Sequence, residues 1–362
     1  MEKISHKEIF VLTFFLSCFL YPGFGDTLII KYSDNGIIIS TIIGSLIGFL
    51  VVLLITSIFD KIDKGNIFDY NVSRFKVFGK VLNFLIIIGI LYIIFVESWN
   101  IITFIVSQFL TKTSYFEVAF IMFSCLSYFI IKKIEVMSRT SIILFIIFIF
   151  MGVLTYIFLI PIIEIDNFKP ILDFNKNDLL KSIFMPVCFS SFPLINILSI
   201  KKECLIDSKK CKRSIILGYI ISCLFWILYL LFITGVFDPK MSALFTYPEY
   251  TLLKKVNAFN FIQRIENILA FMIFIAAFIG LGLCFYSIIS YIIKVFKLKK
   301  NKSINILTYI ICMTISFISI YLFKDYLIID LFTMYPIISF EILIPIILIS
   351  ILNIRKTTKS SS

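Results

Sequence analysis

Buried acids are the residues of this sequence most able to do chemistry, because carboxylates are scarce within its apolar stretches. Glu97 lies in the middle of the stretch 81–110, and Glu341 lies in the stretch 328–352. An unpaired carboxylate in an apolar layer is costly, so each one should face a polar cavity, have a partner or carry a proton. Glu97 and Asn100 are three residues apart and share one helical face, which predicts a joint polar surface.

Helix-breaking residues interrupt two of the apolar stretches. In the stretch 8–31 the break is centred on Pro22 and Gly23. Proline removes a backbone donor, and glycine makes an unwound backbone inexpensive. In the stretch 182–200 two prolines flank a pair of serines. An unwound helix exposes N–H groups at the start of one half and C=O groups at the end of the other, and both can bind a polar ligand.

We expect a ligand to contact the two breaks and the polar face of the third apolar stretch. The predicted ligand-binding residues are Tyr21, Pro22, Gly23, Phe24, Gly25, Glu97, Asn100, Phe189, Ser190, Ser191 and Phe192. A carboxylate would bind the amide groups from Phe24 onward, and an ammonium would bind carbonyl groups near Ser190. Two structural interpretations remain open: a proline is often only a kink, and Ser190 and Ser191 can bond to their own helix.

Ten apolar stretches must position these residues, and each is close to the roughly 20 residues that a helix needs to cross a bilayer. They are 8–31, 37–59, 81–110, 115–131, 140–163, 182–200, 214–237, 266–293, 303–322 and 328–352. Of the 34 Lys and Arg residues, 24 lie on one side of this arrangement and 10 on the other. Because basic residues mark the cytoplasmic side, both termini are predicted to be cytoplasmic. Asp26 and Glu266 fall near the opposite surface, where we expect them to be solvated.

The positions of the two breaks predict an internal symmetry. The broken stretches are the first and the sixth, so each one opens a group of five. Interrupted segments at corresponding positions of two halves are typical of inverted-repeat transporters. We therefore predict an all-α membrane protein with one transmembrane domain over 1–362 and ten transmembrane helices. Helices 1 and 6 would be discontinuous, in a 5+5 inverted repeat of approximately 1–165 and 166–362.

Composition argues against several other classes of function. The chain is 60% hydrophobic, with a mean hydropathy of +1.03. Its net charge of +12 comes from short loops beside apolar stretches, which indicates topology and contact with the lipid bilayer instead of nucleic acid. His6 is the one histidine, and the eight cysteines form no Cys-x-x-Cys pair, so we expect no metal site. Without a catalytic triad, nucleotide loop or cofactor motif, neither an enzyme nor a cofactor is expected.

Several motifs resemble those of the permease-like B subunits of spore germinant receptors, a family within the amino acid–polyamine–organocation superfamily. They occur in the family's order at 133–139, at 167–172, at 235–237 with Tyr247-Pro248, and at 264–266. The glycines at 23–25 resemble the small-residue break of the family's first helix. Lys133 stands where the family usually has glycine.

The resemblance implies a germinant-sensing, transporter-like subunit in the inner membrane of the spore, which makes and breaks no bonds. It implies a small amino acid-like ligand and two protein partners, an A-type subunit with a large cytoplasmic domain and a C-type lipoprotein subunit. The alternative is a proton- or sodium-coupled amino acid permease, in which Glu97 or Glu341 would relay protons. The long loop 238–263 either covers an outer vestibule or is a passive connector.

Overall fold

The architecture is helical throughout the part of the chain that the computed structural model describes, which is residues 3–169, 176–255, 265–298, 302–323 and 340–359. The α-helices are α1 His6–Cys18, α2 Phe24–Ser33, α3 Ile37–Lys61, α4 Ile67–Gln108, α5 Tyr115–Ile131, α6 Lys133–Leu159, α7 Lys176–Ser191, α8 Ser208–Val236, α9 Pro239–Ser242, α10 Pro248–Lys254, α11 Glu266–Val295, α12 Lys302–Leu322 and α13 Phe340–Lys359. Within these residues, seven helical stretches are long and apolar enough to cross a membrane, and α5 and part of α13 are shorter apolar helices. The protein is therefore a multi-pass membrane protein.

The observed helices follow most of the predicted stretches. The prediction 115–131 coincides with α5, and 266–293 differs from α11 by two residues at one end. The stretch 328–352 lies partly outside the described residues, so the count of ten spans stays a prediction. The first stretch, 8–31, consists of two helices, α1 and α2, as its proline and glycine predict.

The helix α1 is fixed at its start by local hydrogen bonds and by a contact far along the chain. The Ser5 side chain accepts a hydrogen bond from the amide of Glu8, and the Glu8 side chain bonds back to Ser5, which forms a capping box. Just before this cap, the amide of Ile4 donates to the carbonyl of Cys204 at 2.7 Å, and the amide of Ile206 donates to Ile4 at 3.1 Å. The start of α1 is thus joined to the segment that follows the second break.

The second break also changes the type of helix. α7 continues through Pro186 and ends at Ser191, and the chain then forms a 3₁₀-helix over Phe192–Ser199. Pro193 has no N–H group to donate to the carbonyl of Phe189, so the regular α-helical pattern cannot continue there. The predicted discontinuity within 182–200 therefore lies at its centre.

Three lysines, Lys76, Lys133 and Lys297, have backbone conformations that favour glycine. Lys76 has φ 53° and divides α4 into two helical parts, whereas Lys133 has φ 76° at the start of α6. A side chain with a β-carbon is strained in this left-handed region. The conformation of Lys133 gives a physical reason for the glycine that the related motif has at this position.

The first broken helix lies at the centre of the packing. α1 contacts α6, α8 and α11. Its Phe14 and Phe15 pack edge-on against Phe148, with ring centroids 5.7 Å and 5.4 Å away. Large apolar side chains on the outer surface, such as Ile146 and Phe150, remain exposed. In a membrane protein these side chains face lipid, which explains why the hydrophobic sequence does not need to bury all of them.

Candidate functional site

The break between α1 and α2 is held in a conformation that requires glycine. Gly23 has φ 80°, and a β-carbon there would lie 2.5 Å from Oδ1 of Asn100 and 2.9 Å from the ring of Tyr247. The amide of Gly23 donates a hydrogen bond of 2.7 Å to Oε1 of Glu249. Two elements distant in sequence, α4 and α10, therefore meet at the backbone of this residue.

The polar face predicted on the third stretch also reaches the break. The side-chain amide of Asn100 donates to the carbonyl of Pro22 at 2.9 Å and to Oε2 of Glu97 at 3.2 Å. Glu97 and Asn100 thus share one face of α4, as their spacing predicts, and both are buried. Trp99 points elsewhere and packs near Phe323, at a centroid distance of 6.1 Å.

Another acid, Glu249, contacts the break and belongs to the loop between α8 and α11. It lies on the short helix α10 and is fully buried. Burial raises the pKa of the Glu249 carboxyl above its usual range, while the hydrogen bond from Gly23 acts in the opposite direction. The loop is also tied to α2, because the Thr27 hydroxyl lies 3.2 Å from the carbonyl of Phe245 and 3.0 Å from that of Thr246.

Aromatic side chains seal α10 against α4. The ring of Phe104 lies 4.9 Å from Tyr247 and 5.5 Å from Tyr250, and Phe109 lies 5.8 Å from Tyr250. Edge-to-face pairs at such distances stabilise a contact beyond the apolar area that they bury. Of the two interpretations of the loop 238–263, the contacts of its described part, 238–255, favour a cover, since Glu249 on α10 bonds to the break.

Asp26 corrects a prediction from the sequence. We expected water to solvate it, but its side chain is completely buried. Its Oδ1 accepts a hydrogen bond of 3.0 Å from the indole N–H of Trp226 on α8. The residue lies in the first turn of α2, where the positive end of the helix dipole favours an acid. Glu266 is half-buried at the start of α11.

The two breaks contact each other. The ring centroid of Phe189 on α7 lies 6.0 Å from that of Tyr21, and the Phe189 ring would be 3.6 Å from a β-carbon at Gly25. Both serines of the second break bond within their own helix: Ser190 donates to Pro186 at 2.6 Å, and Ser191 to Val187 at 2.7 Å. The structural interpretation of the serine hydroxyl groups therefore describes them correctly.

Other predicted site residues have simpler surroundings. Phe192 is fully buried beside Phe184, with ring centroids 6.3 Å apart. The Ser190 hydroxyl lies 3.2 Å from that of Tyr219, which itself donates to the carbonyl of Ser45 at 2.8 Å. The side chains of Phe24 and Glu341, and the whole of Arg264, lie outside the described residues.

The sequence did not identify three residues of this region. Glu249 and Trp226 complete the first break, and Asn196 lies beyond the second, where its amide donates to Pro193 at 2.9 Å and to Cys284 at 3.4 Å. Asn196 could have been found as an amide within an apolar stretch. Glu249 lies in a loop, where an acid is ordinarily solvated, so its sequence position carries no sign of its burial.

The three acids at the break, and the amide of Asn100, each have an acceptor oxygen that receives no hydrogen bond. Asp26 Oδ2, Glu97 Oε1, Asn100 Oδ1 and Glu249 Oε2 are buried and make no hydrogen bond in the structure. The ion pairs formed among the described residues involve none of the three acids. No group of three acid, thiol or imidazole side chains in that part of the chain converges enough to hold a metal ion.

The cavity that the described residues form beside the break is small. A cavity of about 10 Å³ lies beside Pro22 and Trp226, and its other walls are apolar, including Phe148, Met272 and Ala276. This volume is near the lower limit for a single water molecule. A ligand larger than water therefore requires side chains or α10 to move.

Comparison with solved structures defines the class of protein. The fold resembles the substrate-bound, outward-open structure of a Na⁺-coupled sialic acid symporter, with a TM-score of 0.66 and 16% identity. The match covers 95% of this chain and 79% of that one. The chain thus has the fold of a membrane transporter, with interrupted helices at its centre.

The sequence then defines the family. A family model described as "Spore germination protein" matches residues 3–326. The chain belongs to this family of spore germination permeases, as its short motifs predict. A search of curated protein sequences finds no match.

Three of those motifs have clear structural roles. Glu135 and Arg139 form an ion pair of 2.6 Å one turn apart on α6. The side-chain amide of Asn167 donates to the carbonyl of Gly235 at 3.1 Å, and the amide of Glu164 donates to the same carbonyl at 2.8 Å. The motifs at 167–172 and 235–237 are therefore in contact, although about 70 residues separate them.

Proposed function

We propose that the protein is the germinant-sensing subunit of a spore germination receptor and binds a small amino acid-like ligand where its two helix breaks meet. In this proposal it has ten transmembrane helices in a 5+5 inverted repeat. It carries out no covalent chemistry. Ligand binding shifts the population between two conformations, and partner subunits respond to the shift.

The observation that carries the proposal is the contact between the breaks beside buried acids. Phe189 lies against Gly25, and the amide of Gly23 donates to a carboxylate, so backbone groups and acids converge at one place. Buried ionisable groups within a membrane fold commonly mark the path or the site of a polar ligand. Membership of the spore germination family supports a sensing role.

The proposal includes the predicted partners and location. The A-type and C-type subunits would bind the protein in the inner membrane of the spore, with both termini of the protein in the cytoplasm. The basic loops, such as 201–213, are the candidate docking surface for the A-type subunit, whose large domain would lie on the same side. Co-purification of both subunits with the full chain from spore membranes tests this assignment.

A glycine pair tests the ligand site. A β-carbon at Gly25 would lie 2.2 Å from the carbonyl oxygen of Leu20, so Gly25→Ala should displace the break and abolish the germination response. Gly282→Ala is the matched control, because its β-carbon would be no closer than 3.3 Å to its neighbours, which are the side chain of Met137 and the ring of Phe129. Both variants should accumulate in the membrane. A normal response of Gly25→Ala at normal abundance would contradict the proposal.

The burial of Glu97 favours a second candidate, a proton-coupled amino acid permease. This carboxyl group is 2% exposed and has one oxygen without a donor, as expected of a group that exchanges a proton during transport. Reconstitution in liposomes separates the two functions. Accumulation of a bound amino acid that depends on a pH gradient identifies the permease, whereas binding without accumulation identifies the sensor.

A further inference from the structure

The position at which the break would hold a ligand carboxylate is already occupied. Oε1 of Glu249 lies 2.7 Å from the amide of Gly23, at the positive end of α2. To displace this carboxylate, a ligand would have to lift α10. That movement would break the contacts of Thr27 with the loop and the packing of Phe104 on Tyr247.

Four of the unsatisfied groups around Gly23 are carboxyl or amide oxygens, whereas the Tyr21 hydroxyl, which can also donate, is a fifth. Asp26, Glu97, Asn100 and Glu249 each present one buried oxygen without a donor. A buried acceptor left without a donor costs about 1–3 kcal/mol. Unsatisfied acceptors thus outnumber the one unsatisfied hydroxyl, so a positively charged donor fits the break better than a further carboxylate.

A primary ammonium group supplies what the break lacks. It carries a positive charge, has three N–H donors and has no acceptor that would itself need a partner. The small apolar cavity beside Pro22 and Trp226 would receive a short alkyl group only after side chains or α10 move, because its volume of about 10 Å³ is near the limit for one water molecule.

We propose that this site recognises its ligand by a primary ammonium group, and that Glu249 takes the place of the carboxylate that an amino acid would bring. This inference rests on the proposed function, because it concerns the same site. Its consequence is that the ligand carboxylate is dispensable. Simple primary amines should bind as well as the amino acids that have the same side chain.

Matched probes test this consequence on the purified full-length protein. Ethylamine, alanine and propionate differ only in which charged group they carry, and so do isobutylamine, valine and isovalerate. Titration calorimetry and the shift of the thermal unfolding temperature measure their binding. We expect each amine to bind within about threefold of its amino acid, and neither acid to bind.

Substitution of Glu249 links the result to the structure. Glu249→Gln keeps an oxygen that can accept from Gly23 but cannot ionise beside a bound ammonium group, so amine affinity should fall at least about tenfold. Glu117→Gln is the control, since Glu117 is exposed and glutamine also serves in its capping box with Ser114. Unchanged amine affinity in Glu249→Gln would overturn the assignment of Glu249.

The outcomes separate this inference from the function on which it rests. Binding of alanine or valine, with amines more than about tenfold weaker, overturns the inference and leaves the amino acid site intact. Absence of binding by every amine and amino acid overturns both. Binding of propionate or isovalerate shows that a ligand carboxylate displaces Glu249, which also overturns the inference.

Discussion

Substitution of Gly23 tests directly whether the break between α1 and α2 requires glycine at this position. Gly23→Ala places a β-carbon in a backbone conformation with φ 80°. It also places that carbon 2.5 Å from Oδ1 of Asn100 and 2.9 Å from the ring of Tyr247, closer than real contacts of this kind. The variant should therefore lose stability and ligand binding together.

The expected loss follows from two separate costs. The left-handed conformation costs a residue with a β-carbon about 1–2 kcal/mol relative to glycine. Inserting a methyl group into a packed interior costs about 1–3 kcal/mol more. Both neighbours, Asn100 and Tyr247, are buried and have little room to move. We expect Gly23→Ala to reduce the free energy of unfolding by about 2–5 kcal/mol.

A second glycine provides a matched control. Gly65 has φ 71°, and a β-carbon there would lie 2.5 Å from a carboxylate oxygen of Asp69, which mirrors the contact with Asn100. The Asp69 side chain is 45% accessible, so its carboxylate can rotate away at the cost of its bonds to Asn66 and Lys294, whereas its β-carbon, 2.9 Å from the new methyl, cannot. Gly65→Ala should therefore lose at least the backbone cost of about 1–2 kcal/mol, and it should keep ligand binding because Gly65 lies outside the break.

Reversible unfolding in mixed detergent micelles gives both free energies, and calorimetry on the folded fraction gives ligand affinity. A double variant sharpens the assignment to Asn100. Gly23→Ala with Asn100→Ala should lose less than the sum of the single losses by at least about 0.5 kcal/mol, because the oxygen that meets the new methyl is gone. Loss of ligand binding in Gly65→Ala, retention of binding in Gly23→Ala, or strict additivity in the double variant would refute the reasoning.

Three further predictions concern the buried acids. Glu97→Gln should leave ligand affinity within about threefold, measured by calorimetry, whereas loss of pH-driven uptake with binding kept would identify a permease. Trp226→Phe removes the donor to Asp26 and should lower the free energy of unfolding by about 1–3 kcal/mol; unchanged stability would contradict the role of that hydrogen bond. The raised pKa of Glu249 means that its contribution to stability is complete below the ordinary value of 4.5 and is lost as pH rises toward the raised pKa. The free energy of unfolding should therefore fall as pH rises from about 5 to about 8, and it should fall less in Glu249→Gln. Identical pH profiles of the two proteins would refute this prediction.

Local sequence signals predicted the helices and both breaks because each depends on neighbouring residues. The apolar stretch 115–131 coincides with α5, since a helix in lipid satisfies its backbone internally. Pro193 ends the α-helical pattern near Ser191, and Gly23 allows the turn before α2, as their chemistry predicts. The contact of Glu97 with Asn100 follows from their spacing on one helix.

The rest of the site depends on contacts between distant parts of the chain. Glu249 reaches Gly23 across 226 residues, and Trp226 reaches Asp26 across 200. No local pattern distinguishes such an acid from a solvated one, so the prediction that Asp26 is solvated was wrong. The sequence assigns a carboxylate to a helix or a loop, but whether that carboxylate is buried depends on how the helices pack together.

The backbone hydrogen bonds of Ile4 with Cys204 and Ile206 can be used to detect movement of the two broken helices relative to each other. These two backbone hydrogen bonds join the segment before the first broken helix to the segment after the second. Any rearrangement that moves one broken helix past the other must either break them or carry both segments along as one body. Amide hydrogen exchange at Ile4 and Ile206 should distinguish these cases, without any label attached to the protein: faster exchange with ligand means separation, and unchanged exchange means movement as a unit.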